Sequence, residues 1–124
     1  MSRLVLVGLG GFLGSAARYW LAGQVHSWTG AAFPAGTLVV NGLGSFVLGM
    51  VMALGLERGL ITPNLRLFLA VGLCGGFTTM STFSYETLAL LQEGSLATGL
   101  ANVAGTLALC IVAVWLGAAA GRLV

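Results

Sequence analysis

Arg18, Asn41, Glu86 and Asn102 are polar or charged, and each stands inside a long apolar stretch. An asparagine amide brings two donor hydrogens and an acceptor oxygen, a costly addition at mid-bilayer depth. Close to Glu86 lies GGFTTMSTFSYE, Gly75 to Glu86, with five hydroxyls among the seven residues Thr78 to Ser84. Adjacent glycines followed by Thr78-Thr79 make a poor helix interior. A helix broken inside a membrane exposes carbonyls and N–H groups, and is tolerated only where it lines a site. Carbonyl oxygens there suit a hard monovalent cation. Freed N–H groups, hydroxyls and amide N–H groups suit a small anion, and the ring of Phe83 offers a positive edge. Glu86 handles a proton, ligates a cation or acts as a swinging hydrogen-bond acceptor. Arg18 either snorkels to the interface or forms a positive vestibule that attracts anions.

The elements that carry these groups must be membrane spans. The chain has 124 residues, 58% hydrophobic and 6% charged, against ~25% charged in a soluble domain. Four segments reach the ~20 apolar residues a spanning helix needs: Leu4 to Leu21, Gly36 to Leu56, Leu65 to Leu91 and Leu96 to Gly121. All 124 residues then form one all-α unit of four transmembrane helices, with the third broken mid-span. HSWTGAAFP, ERGLITPN and QEGS connect the spans, with Pro34 and Pro63 in loops and Gly94 ending the third helix. The apolar N-terminus lacks a small-residue cleavage site and reads as structure, not as a signal peptide.

Each span carries one small or polar stripe. In span two it is Thr37, Asn41, Ser45 and Gly49; in span four, Thr98, Asn102 and Thr106. In span one it is Gly11, Ser15 and Arg18; in span three, Thr79, Thr82, Phe83 and Glu86. The plainest explanation of such stripes is helix packing. Gly10/Gly14, Gly72/Gly76 and Gly117/Gly121 have GxxxG spacing and fit that role.

Other chemistries are excluded. There is no Asp for a Ser-His-Asp arrangement, and His26 is the lone histidine. Cys74 and Cys110 lie far apart in apolar segments and read as small buried hydrophobes. No P-loop or dinucleotide fingerprint is present, and five Arg without Lys leave no nucleic-acid footprint. Nothing suggests an enzyme.

GGFLGSAARY (Gly10–Tyr19), GTLVVNGLGSFVLG (Gly36–Gly49) and GLCGGFTTMSTFSYE (Gly72–Glu86) carry a family resemblance. The chain resembles the Fluc/CrcB fluoride channels over essentially its full length. That resemblance implies an antiparallel, dual-topology homodimer in a bacterial or archaeal plasma membrane. It implies two passive pores that export fluoride and relieve its toxicity. It implies a central structural sodium ion on the backbone carbonyls of Gly75 and Thr78. It also implies a fluoride path past Asn41 and an aromatic pair, here Met80 and Phe83. Thr82, Ser84 and Glu86 resemble the polar track beyond that pair. Thr37 resembles its counterpart near Asn41, with Asn102 close by and Arg18 as the vestibule arginine.

Two features depart from the family pattern. Phe is usual at both positions of the pair, so Met80 lacks a ring edge. The N-terminal side carries Arg3, Arg58, Arg66 and Arg122 against at most Arg18 opposite, which predicts both termini inside. Such a chain inserts both ways despite its bias, or pairs with a paralogue of opposite bias; a homodimer is expected. Two rival functions are a small drug antiporter, whose first span needs a carboxylate this chain lacks, and a scaffold subunit whose stripes are pure packing.

Overall fold

A computed structural model describes all 124 residues. It is all helix, with four segments long and apolar enough to cross a membrane. Span one is Arg3–Thr29, span two Ala35–Glu57, span three Pro63–Gln92 and span four Leu96–Leu123. Span one runs beyond the Leu21 expected from hydropathy. Its last turns are polar, but nothing breaks the helix until Gly30, whose φ of 77° favours glycine. Pro63 lies in the first turn of span three, not in a loop, where its missing N–H leaves no bond unmade. Thr62 caps that turn by accepting from Leu65 N at 3.2 Å. Gly94, φ 81°, follows the end of span three, as its sequence suggests.

Glycines zip the spans together in two pairs. Span one meets the first half of span three. A Cβ added at Gly72 would lie 3.0 Å from Gly10 Cα, one at Gly76 2.5 Å from Gly11 O, and one at Gly14 would strike Leu73 O. Span two meets span four the same way, with Gly49 against Val114 O and Gly117 against Phe46 O. A Cβ at Gly121 would lie 2.8 Å from Met50 O. All three GxxxG pairs therefore sit at close backbone approaches.

Two stretches are π-helical: Ala53–Glu57 at the end of span two and Leu67–Cys74 in span three. The second leads into the short helical turn Gly75–Phe77. Thr78 (φ −84°, ψ 158°) and Thr79 (φ −151°, ψ 115°) are extended, and helix resumes at Met80. The expected break is present. It falls on the threonines, while Gly75 keeps helical angles.

Only 23 of the 124 residues are buried in the single chain. The polar ones among them, Thr37, Asn41, Thr87, Asn102 and Thr106, all sit between helices. The outer surface is apolar, with Leu4, Phe12, Trp20 and Trp115 more than half exposed, as lipid contact requires.

Candidate functional site

The site is built around the break in span three. The helical ladder ends where Thr78 N donates to Cys74 O at 3.0 Å; the Thr78 hydroxyl donates to the same oxygen, also at 3.0 Å. Gly75 O then loses its ordinary helical donor, because Thr79 N points elsewhere. It donates to Asn41 Oδ1 at 2.7 Å, and Asn41 Nδ2 donates to Thr79 O at 3.0 Å. Asn41 thus pairs with the Thr79 peptide much as a neighbouring β-strand would. Without it, two backbone groups would stand unpaired in a membrane interior, each costing several kcal/mol. One Nδ2 hydrogen remains uncommitted. The Thr79 hydroxyl caps the second half of span three by accepting from Thr82 N at 3.2 Å, and donates to Thr82 Oγ1 at 3.0 Å.

Span one holds the other side of the break. Arg18 Nε donates to Gly76 O at 3.0 Å, with Ser15 Oγ at 3.5 Å from the same oxygen. The guanidinium lies at the C-terminal end of a half-helix, where a cation is favoured. Arg18 therefore does not simply snorkel to the interface.

Beyond the break, Thr37 Oγ1 donates to Glu86 Oε1 at 2.9 Å. Glu86 Oε2 is buried and has no partner. On the side facing span four, Asn102 Nδ2 donates to Thr87 Oγ1 at 2.9 Å, and Thr87 Oγ1 donates to Phe83 O at 2.8 Å. Thr106 Oγ1 donates to Asn102 Oδ1 at 3.4 Å. This relay fixes the turn that carries Phe83. A cavity of about 300 Å³ opens beside the break; its lining includes Asn41, Gly75, Thr78, Met80, Phe83 and Thr106.

Residues 5–118 match the family described as "CrcB-like protein, Camphor Resistance (CrcB)". Curated relatives agree over nearly the whole chain. "Fluoride-specific ion channel FluC" of Geotalea daltonii is 44% identical over 122 residues, covering 98% of each chain. Its namesake in Geobacter sulfurreducens is 45% identical over the same share. That of Anaeromyxobacter sp. is 50% identical over 113 residues, covering 91% of this chain and 90% of the relative. The chain belongs to the CrcB family.

As a CrcB-family protein with four apolar spans, it is a multi-pass protein of the cell membrane. Its relatives are named for an ion channel and not for an enzyme, in line with the missing catalytic groups. Of the residues singled out from sequence, Asn41, Met80, Phe83, Gly75 and Thr78 meet at one cavity. Thr37 and Glu86 pair with each other, and Thr82 packs on Thr79. Asn102 is 1% exposed and is tied to Thr87. Ser84 is exposed and donates to Met80 O at 2.8 Å. Met80 is 67% exposed in the single chain and Phe83 9%, so the two share the cavity but not the same depth.

Thr87 was not among the residues singled out. Its signal in the sequence is faint: it continues the i, i+4 row of Thr79 and Phe83. A hydroxyl that can bond to the backbone one turn earlier is otherwise unremarkable in a membrane helix.

Proposed function

We propose that this chain is the subunit of a passive fluoride channel that exports the ion from the cytoplasm. The observation that carries the reading is the Asn41–Thr79 pairing at the break. It supports an opened helix inside the membrane and brings amide, hydroxyl and aromatic groups to one cavity. The relatives' name, spread over 98% of the chain, supplies the ion.

Fluoride is small and strongly hydrated, so donors of comparable strength must replace its water. In this proposal the anion passes Asn41, whose second amide hydrogen is free for it, then Met80 and Phe83. It continues along Thr82, Ser84, Thr37 and Glu86. Glu86 Oε2, buried without a partner, is a carboxylate free to turn away as the ion goes by. Arg18 supplies positive potential near the break. Asn102 serves by holding Phe83 through Thr87.

One chain buries too little to wall a pore. The proposal therefore includes a second copy, inserted antiparallel, with two pores between the copies. Gly75 O lacks its helical donor and Thr78 O accepts no hydrogen bond. Two copies would bring four such oxygens together, a donor set that fits a structural sodium ion and not a soft metal.

Planar-bilayer recording tests the ion. With opposed fluoride and chloride gradients, the reversal potential should follow fluoride alone. A reversal potential that tracks chloride, or the absence of any current above protein-free membranes, refutes the reading.

A further inference from the structure

A second cavity, about 270 Å³, opens at the end of the bundle where span three begins. Arg3 and Arg66 line it, above an apolar flank that includes Met52, Leu67 and Val71. The Arg66 stem runs past Gly55: a Cβ there would lie 2.8 Å from Arg66 Cδ, so the glycine leaves room for it. Neither arginine has a carboxylate partner. The one ion pair is Arg122–Glu57, with Nε to Oε2 at 2.6 Å and Nη2 to Oε1 at 3.0 Å. Glu86 is bound to Thr37 beyond the break, and Glu93 lies at the far end of span three. No side-chain or C-terminal carboxylate therefore lies within 4 Å of the Arg3 or Arg66 guanidinium.

We propose that this cavity binds the headgroup of an anionic phospholipid. Three features point to one ligand. Two guanidinium groups present donors suited to phosphate oxygens. The site stands at a membrane end of three spans, where headgroups lie. Its flank is apolar and uncovered by the rest of the chain, with Val71 57% exposed in the single chain, so an acyl chain can follow the phosphate down the helices. Free phosphate would satisfy the cations and leave that flank bare. Basic pockets between transmembrane helices hold acidic headgroups by the same physics. In an antiparallel dimer one such site would open into each leaflet. Lipid charge would then offset the arginines at whichever surface they reach, which eases insertion against the charge bias.

The test is competition binding to the purified full chain in neutral detergent. Fluorescent phosphatidylglycerol is the probe, displaced by unlabelled phosphatidylglycerol or phosphatidylcholine. Two arginines predict a preference for phosphatidylglycerol of about thirtyfold, falling to near parity in R3Q/R66Q. Arg58→Gln, which removes a charge at the same end but outside the cavity, should keep the preference. If R3Q/R66Q does not fold, Arg3→Gln alone, which leaves the packing at Gly55 intact, should lower the preference about fivefold. Equal affinity of the native chain for both lipids overturns the proposal. So does an equal loss in R58Q, or displacement by inorganic phosphate as effective as by phosphatidylglycerol.

Discussion

At the scale of single residues, Asn41 does two jobs with one amide. It completes the backbone of the break and, in the proposed pathway, offers its remaining hydrogen to the ion. Asn41→Asp keeps an oxygen for Thr79 N but loses the donor to Thr79 O. It also sets a negative charge in the path, worth ~4 kcal/mol of repulsion at 4 Å for an effective dielectric of ~20. Fluoride flux should vanish while size-exclusion elution stays native. Wild-type flux from a well-folded Asn41→Asp protein would remove Asn41 from the pathway. Met80 poses a different question. If ring edges matter, Met80→Phe should conduct at least as well as the native chain; if an apolar, polarizable constriction suffices, the two should match. Met80→Lys separates a pore position from a lipid-facing one. In the pore it changes flux sharply; facing lipid it costs ~2.5–3.5 kcal/mol of insertion and mainly lowers expression. If both variants insert normally and leave flux unchanged, position 80 lies outside the pathway.

At the scale of elements, the fold depends on two glycine-packed helix pairs. Gly14→Leu should separate span one from span three, because even its Cβ would strike Leu73 O. The close approach also sets Ser15 and Arg18 against Gly76 O, so the break should lose its support from span one. The expected result is aggregation or loss of the folded peak in detergent. Gly8→Leu, where a Cβ meets nothing within 4 Å, should be tolerated. Normal folding of Gly14→Leu would show that this packing is dispensable. Much of this scale was legible from the sequence. Hydropathy and length gave the four spans, GxxxG spacing gave the tight pairs, and Gly75-Gly76 before Thr78-Thr79 gave the break. The π-helical run Leu67–Cys74 was not legible, since LFLAVGLC is uniformly apolar and any helical period suits it. Span one's extension to Thr29 was hidden because its last turns, with Gln24, His26, Ser27 and Thr29, are polar and carry no hydropathy signal. The roles of Asn41 and Arg18 as partners of the broken backbone were also hidden. Spacing marks a polar side chain as inward facing, but does not say which peptide it meets.

At the scale of the whole molecule, the proposed assembly makes one chain half of a machine. Its polar break opens onto a cavity rather than an enclosed pore, and most of its surface is apolar. The proposed antiparallel dimer closes that cavity and brings the Gly75 and Thr78 carbonyls of two copies together. Purified protein should elute as a dimer, and replacing sodium by N-methylglucamine should lower both its thermal stability and its flux. Ligand binding to the native state alone adds stability with concentration. A fully active monomer, or a dimer indifferent to sodium removal, would contradict the central site.

The most direct test of the fluoride pathway is efflux from liposomes that hold the purified chain as their only protein. The vesicles are loaded with potassium fluoride, and external fluoride is followed with a selective electrode. A passive channel releases fluoride when valinomycin is added to carry potassium, without a proton gradient, and vesicles loaded with potassium chloride keep their anion. Fluoride retained after valinomycin, or chloride released as readily, would contradict the account.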